Sequence, residues 1–253
     1  MQLNRREFVI YSSAGLALTA FPARSAGQPK SQGWCRAIAF DAFVIFDPRP
    51  VFKLVEHLFP NRGSELNGLW KTRQFEYTWL RTLSGQYVDF FSVTRDALVF
   101  AAKSLKIDLK PDQREQLMQG YLQLKAWPDV APVLRQLKGA GIQLGFLSNF
   151  SETMLTANLK SSGLEGFFDE ILTTDRVKAF KPDRRAYQMG IDAFKFKRAE
   201  IAFAAFGGWD AAGAKTFGYP TFWVNRLDSS EEELDAHPDA IGGMSDLVEF
   251  AKG

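Results

Sequence analysis

Alternating strand and helix patterns after Trp127 are the feature that most constrains the fold of this chain. Four short apolar runs have the length and residue types of strands: residues 142–147, 170–172, 201–206 and 220–224. Helical patterns separate them, and an earlier apolar run, residues 35–40, ends at Asp41. Alternating β and α elements build a parallel sheet with right-handed crossovers. The sequence therefore predicts an α/β fold with a parallel sheet.

Polar side chains follow the predicted strands at the points where they end. Asp41 follows the first strand, Ser148 and Asn149 follow the second, and Asp210 follows residues 201–206. Lys181 lies in the loop after residues 170–172. Each has an ordinary alternative, because Asp, Ser and Asn also cap helices and a lysine is usually a surface charge. Since parallel strands place ligands at their carboxyl ends, we expect Asp41, Ser148, Lys181 and Asp210 to meet at one edge of the sheet.

The segment between Pro50 and Trp127 is predicted to be helical and to contain no strand. Its apolar residues recur at steps of three and four, as in Ala97, Phe100 and Ala101. We therefore predict an all-helical cap at residues 53–126, inserted between core segments 33–52 and 127–249. The many aromatic residues of this cap could form its own core or line an apolar pocket.

Composition excludes several classes of function. The chain has 253 residues, 46% of them hydrophobic, which is ample for a folded core. Lys and Arg total 31 against 29 Asp and Glu, with no basic block, so we predict no nucleic-acid partner. The single cysteine cannot form an internal disulfide, and two histidines argue against a zinc site or a Ser-His-Asp hydrolase. We predict neither a metal nor a cofactor.

Residues 1–26 have the parts of an export signal. Arg5 and Arg6 precede the apolar, small-residue run at 11–21, and cleavage is expected near Ser25 or Ala26. The arginine pair resembles a twin-arginine signal, which exports folded proteins. We therefore expect a periplasmic protein that has no membrane association after the signal is removed.

The order Asp41, Ser148, Lys181, Asp210 resembles the four motifs of the haloacid dehalogenase superfamily. Within that superfamily the chain resembles the L-2-haloacid dehalogenase (type II) family, from Ala37 to Ala251. Four segments carry this resemblance: the cap segment 69–81, Lys181-Pro182-Asp183, Gly208-Trp209-Asp210, and residues 217–226. The resemblance implies a Rossmann-like parallel-sheet core with an inserted helical cap, and a hydrolase that acts on carbon–halide bonds.

The same resemblance implies the roles of three charged residues. Asp41 would displace the halogen and form an ester on its own side chain. Asp210 would activate the water that hydrolyses this ester. Lys181, placed between the two aspartates, would lower their pKa values and keep both ionised.

Eight further residues would surround the substrate, a small halogenated carboxylic acid: Phe43, Lys71, Phe75, Phe90, Ser148, Asn149, Tyr187 and Trp209. Ser148 and Asn149 would hold the carboxylate. Phe75, Phe90 and Trp209 would form a hydrophobic wall, and Lys71 takes the place of the family's halide-binding arginine. The resemblance also implies a homodimer.

Several positions depart from the family pattern. Val44 and Ile45 replace a glycine and a threonine just after the nucleophile, where β-branched Val44 would resist a positive φ. Residues 205–207 read Ala-Phe-Gly in place of Ser-Ser-Asn, so an asparagine contact is lost. Lys71 keeps a charge but loses the planar fork of an arginine.

These departures leave three hypotheses open. The first is a dehalogenase with altered substrate handling, and the second is a non-catalytic relative that binds a small carboxylate. The third, a phosphatase, is disfavoured because Phe43 stands where such enzymes carry an acidic proton donor, although Asp41 and Asp210 could still hold a magnesium ion.

Overall fold

The computed structural model of the chain describes residues 33–253. The predicted export signal, residues 1–26, lies outside the described residues. No described helix combines the length and the apolar character needed to cross a membrane.

A six-stranded parallel sheet forms the centre of the described chain. The strands, numbered along the chain, are β1 (Ala37–Phe40), β2 (Phe46–Asp47), β3 (Lys125–Ala126), β4 (Gln143–Ser148), β5 (Glu170–Thr173), β6 (Ile201–Ala205), β7 (Thr221–Val224) and β8 (Ala240–Gly242). The sheet order is β5-β4-β1-β6-β7-β8, and every pairing is parallel. Strands β1, β6 and β7 are buried along their whole length, as expected where helices cover both faces. The predicted α/β fold is confirmed.

Helices cover the sheet and build the cap. They are α1 (Ala42–Ile45), α2 (Arg49–Leu58), α3 (Gly63–Ser84), α4 (Phe90–Ser104), α5 (Pro111–Gly120), α6 (Val130–Gly139), α7 (Glu152–Ser162), α8 (Arg184–Phe194), α9 (Gly208–Phe217) and α10 (Asp246–Lys252). Helices α2–α5 form the cap, in which α3 and α4 pack along each other. Buried Trp70 on α3 donates its indole N–H to the Thr94 carbonyl on α4, 2.8 Å away.

Two short elements differ from the sequence prediction. The segment from Pro50 to Trp127 was predicted without a strand, which is wrong, because β3 pairs antiparallel with β2 where the chain leaves and re-enters the core. Residues 220–224 are the last of the strands that the sequence predicts, and the structure adds β8 at the sheet edge. Strands of two or three residues are too short to show an alternating pattern.

The carboxyl edge of the sheet gathers the polar groups. Asp41 directly follows β1, Ser148 is the last residue of β4, and Asp210 lies in the first turn of α9, which follows β6. Strand order places β1 between β4 and β6, so these side chains converge on the centre of that edge.

Candidate active site

Asp41 caps helix α1 and also contacts the Lys181 ammonium. Its backbone N–H donates to the Ala204 carbonyl at 3.0 Å, which fixes it to the neighbouring strand. One carboxylate oxygen, Oδ1, accepts the Phe43 N–H at 2.9 Å and caps α1. The other, Oδ2, lies 2.8 Å from the Lys181 ammonium. Asp41 keeps 8% of its surface exposed, so a small ligand can reach it.

Lys181 joins the two aspartates from a fully buried position. Its Nζ lies 2.8 Å from Asp41 Oδ2 and 2.6 Å from Asp210 Oδ2. Its backbone N–H donates to Asn149 Oδ1 at 3.0 Å, and its peptide bond to Pro182 is cis. Burial lowers the pKa of Lys181, but the negative charges of Asp210 and Asp41 outweigh that effect and raise it overall. Lys181 is therefore a permanent cation between the two carboxylates.

Asp210 is almost fully buried in the first turn of α9. Its Oδ1 accepts the hydroxyl hydrogen of Tyr187 at 2.7 Å, while Oδ2 accepts from Lys181. Burial raises the pKa of Asp210 to about 6, since it outweighs the lowering by Lys181, and the nearby charge of Asp41 raises it further. Lys181 lowers the pKa of Asp210, as predicted, but burial raises it by more, and the sequence did not predict that net rise. Asp210 is nevertheless mostly ionised at neutral pH.

An apolar cavity of about 110 Å³ opens over Asp41 and Asp210. Its lining comes from the core and the cap together: Asp41, Phe43, Phe75, Phe90, Ser148, Asn149, Phe150, Phe206, Gly207, Trp209 and Asp210. We call the chain of rings Phe206, Phe43, Phe150 and Phe90 the first wall; successive ring centroids lie 5.6, 4.9 and 5.5 Å apart. The second wall is the pair Phe75 and Trp209, 5.3 Å apart.

Six of the eight predicted substrate-contacting residues line this cavity: Phe43, Phe75, Phe90, Ser148, Asn149 and Trp209. The structure does not bring the other two to it. Lys71 is exposed on α3, with its ammonium 4.8 Å from the ring centroid of Phe52. Tyr187 is fully buried and contacts Asp210.

Sequence reasoning missed two aromatic members of the first wall. Phe150 lies two residues beyond Ser148, and Phe206 follows the last residue of β6. Their position just past strand ends was the available signal, because loops at that edge face the ligand. Residue 206 was instead assigned to the strand.

The turn after Asp41 is regular despite Val44 and Ile45. Residues Ala42–Ile45 form one helical turn, and Val44 has no positive φ, so the strain expected from a β-branched residue is absent. Donors from elsewhere hold the turn. The Trp127 indole N–H donates to the Phe43 carbonyl at 3.0 Å, and Arg226 Nε to the Val44 carbonyl at 3.1 Å. The Trp127 backbone N–H donates to the Ile45 carbonyl at 3.0 Å.

The arrangement suits displacement by a carboxylate. Asp41 is shielded from most water by the first wall, and a less hydrated carboxylate is a stronger nucleophile. Asp210, held beside it by the shared ammonium, is an adjacent base. Among residues 33–253, no group of three or more His, Cys, Asp or Glu side chains is placed to hold a metal ion.

Proteins of known family have sequences similar to that of this chain. The family model for haloacid dehalogenase-like hydrolases matches residues 32–218. The (S)-2-haloacid dehalogenase of Pseudomonas sp. (strain YL) is 38% identical over 87% of this chain and 97% of its own length. The haloacetate dehalogenase H-2 of Moraxella sp. (strain B) is 37% identical over 84% of this chain and 95% of its own.

Solved structures show the same relationship. An L-2-haloacid dehalogenase crystal structure, 41% identical, superposes with a TM-score of 0.84 and covers 87% of this chain and 99% of its own. The L-2-haloacid dehalogenase of Xanthobacter autotrophicus with chloropropionic acid covalently bound is 30% identical, with a TM-score of 0.80 and the same coverage. The chain therefore belongs to the haloacid dehalogenase-like hydrolases and, within them, to the L-2-haloacid dehalogenase family.

Proposed function

We propose that this protein hydrolyses the carbon–halogen bond of short-chain L-2-haloalkanoic acids, giving 2-hydroxy acids through an ester on Asp41. The observation that carries the proposal is the buried Asp41–Lys181–Asp210 cluster at the floor of an aromatic cavity. The relatives named (S)-2-haloacid dehalogenase support the reaction, and the relative with covalently bound chloropropionic acid supports a covalent intermediate.

In the first step an oxygen of Asp41 bonds to the carbon that carries the halogen. The carbon–halogen bond breaks, the halide leaves with the bonding electron pair, and the configuration at that carbon inverts. A halide leaves without a proton, so the apolar Phe43 next to Asp41 costs this reaction nothing. The apolar walls exclude bulk water and hold the carbon in line with the carboxylate.

In the second step water attacks the carboxyl carbon of Asp41. Asp210 accepts a proton from the water, and the leaving oxygen of the 2-hydroxy acid takes up a proton as the ester bond breaks. Asp41 returns to its carboxylate form and one proton passes to solvent. Because Lys181 Nζ touches both carboxylates at 2.8 and 2.6 Å, Asp210 lies next to the ester it must help to hydrolyse.

Within residues 33–253, no acceptor is hydrogen-bonded to the Ser148 hydroxyl or the Asn149 NH₂ group, so both can donate to the carboxylate of the substrate. Ser148 Oγ accepts the Phe150 N–H at 3.0 Å, so its own hydroxyl hydrogen remains to be donated. Asn149 Oδ1 accepts the Lys181 N–H at 3.0 Å, which directs the amide so that its NH₂ group remains for another acceptor. Both residues line the cavity.

Halide release from (S)-2-chloropropionate by the purified protein tests the proposal. Asp41→Asn should abolish release, whereas Asp228→Asn, at an exposed position, serves as the matched control. Asp210→Asn should let the ester accumulate, seen as a mass increase on the peptide that contains Asp41. No release by the unchanged protein above the Asp41→Asn background would refute the dehalogenase.

We also propose export as a folded protein and assembly as a homodimer. The twin-arginine pattern of residues 1–26 supports export. Exposed apolar side chains near the end of α3, with Leu80 55% and Leu83 86% exposed, support a buried contact between copies. The mature N-terminus in a periplasmic fraction and the mass in solution by light scattering check these two points.

A further inference from the structure

Phe206 supplies the side-chain volume of the two residues between β6 and α9, Phe206 and Gly207. It stands between Ala205 and Gly207, so its neighbours contribute almost no side-chain volume to the cavity. Its carbonyl accepts the Trp223 indole N–H at 2.9 Å, which fixes the backbone. Its ring lies 5.6 Å from that of Phe43, at one end of the first wall.

Phe206 is also the member of the first wall that contributes least to the packing of the core. Phe90 and Phe150 are each 1% exposed, and Phe43 is 9% exposed and wedged between two other rings. Shortening any of those three would hollow the core, which destabilises a protein. Phe206 is only half-buried, so its side chain can change with little damage to the packing below.

The cavity is small for the reaction that takes place in it. It measures about 110 Å³, whereas an apolar cavity of about 150 Å³ holds one benzene molecule. Scaled from that comparison, the cavity encloses about four or five non-hydrogen atoms. Chloroacetate, with its chlorine, two carbons and two oxygens, already fills such a space, 2-chloropropionate adds one carbon, and each methylene of a longer 2-chloroalkanoate adds another.

We infer that Phe206 restricts this site to haloacetates and 2-halopropionates by filling the space that a longer alkyl chain would need. This inference rests on the proposed function and names the substrate class of the same site. The ring of Phe206 lies 5.6 Å from that of Phe43, and both rings line the cavity beside Asp41 that a longer alkyl chain would have to occupy.

The test compares kcat/KM for chloroacetate, (S)-2-chloropropionate and (S)-2-chlorohexanoate. For the unchanged protein we expect a preference for 2-chloropropionate over 2-chlorohexanoate of roughly tenfold or more. Phe206→Ala should reduce that preference by roughly tenfold or more. Phe206→Leu should reduce the preference by a smaller factor. If Phe206→Ala does not fold, the preference of Phe206→Leu is the test.

Phe196→Ala is the matched control. Phe196 is half-buried like Phe206 but lies away from the cavity, beneath the Arg36 guanidinium at 3.9 Å, so its removal should leave the preference unchanged. If the Phe206 variants turn over the acids with the same preference for 2-chloropropionate over 2-chlorohexanoate as the unchanged protein, this inference is overturned and the proposed function stands. Failure of the unchanged protein to release halide from any acid would overturn the proposed function and, with it, this inference.

Discussion

The charged cluster and the aromatic walls above it are held in different ways. Each member of the cluster is fixed by directed bonds: Asp41, Lys181 and Asp210 have hydrogen-bond partners at 2.6 to 3.0 Å. The walls are held by ring contacts with centroids 4.9 to 5.6 Å apart. Directed bonds fail when one atom is lost, whereas ring contacts tolerate a change of shape. We therefore expect the reaction to depend on particular atoms of the cluster, and the choice of substrate to depend on the volume that the walls fill.

Lys181→Met breaks the charged cluster and should have the largest effect. It leaves two carboxylates facing each other in a buried site, which costs about 3–5 kcal/mol in the free energy of unfolding. One carboxylate must then take up a proton to relieve the repulsion, so nucleophile and base cannot both be ionised. We expect halide release to fall at least about a hundredfold. Urea unfolding and initial rates measure the two effects.

Lys215→Met is the control for that change. Lys215 pairs with Asp239 at the surface, where both side chains are about a third exposed, and such pairs contribute up to about 1 kcal/mol. A Lys181→Met protein as stable and as fast as the Lys215→Met protein would show that the charged cluster does not govern the reaction.

Tyr187→Phe weakens the cluster without removing a charge. In the proposed mechanism ionised Asp210 is the base, so ester hydrolysis should fall as pH decreases through its pKa of about 6. The Tyr187 hydroxyl stabilises the ionised form and lowers that pKa. A hydrogen bond to a charged group contributes about 1.5 kcal/mol, so its loss should move the acid limb of the rate profile up by about one pH unit.

The pH profile of kcat separates this effect from a loss of structure. Tyr121→Phe removes the hydroxyl of an equally buried tyrosine in the cap and should leave the acid limb in place. An unshifted acid limb in Tyr187→Phe would show that Asp210 is not the titrating base.

The charged cluster was predictable from the sequence because its members sit at strand ends. The β-α alternation places Asp41, Lys181 and Asp210 at one edge without knowledge of any side-chain direction. The pKa of Asp210 was not predictable, because burial and the pull of Lys181 oppose each other and only the structure shows how deeply the carboxylate is buried.

The walls were predictable only in part. Phe75, Phe90 and Trp209 came from the resemblance, but Phe206 did not, because the chain differs from the family at that position. The prediction of backbone strain at Val44 was also wrong, because its φ is not positive. The turn is stabilised by Trp127 and by other residues far along the chain, and such long-range donors leave no mark in the local sequence.

Lys71→Ala tests whether the cap residue one helical turn before Phe75 takes part in the reaction, and it should have the smallest effect. Lys71 lies one helical turn before Phe75 on α3, so the two share a side of the helix. Its exposed ammonium packs on Phe52 at 4.8 Å, and a contact of this kind contributes about 0.5–1 kcal/mol. We expect halide release to change less than about twofold, since the loss of an exposed side chain is usually small.

Lys71→Arg is the companion variant, because it restores the charged fork that the resemblance assigns to halide binding. If Lys71 stays outside the cavity during turnover, both substitutions leave the rate near that of the unchanged protein. A loss above about tenfold in Lys71→Ala, with activity kept in Lys71→Arg, would instead mean that the cation reaches the departing halide, since a charge-assisted contact in the transition state has about that value. A charged group of the cap would then act with the charged cluster at the sheet edge, and the cap would contribute a directed contact as well as apolar volume.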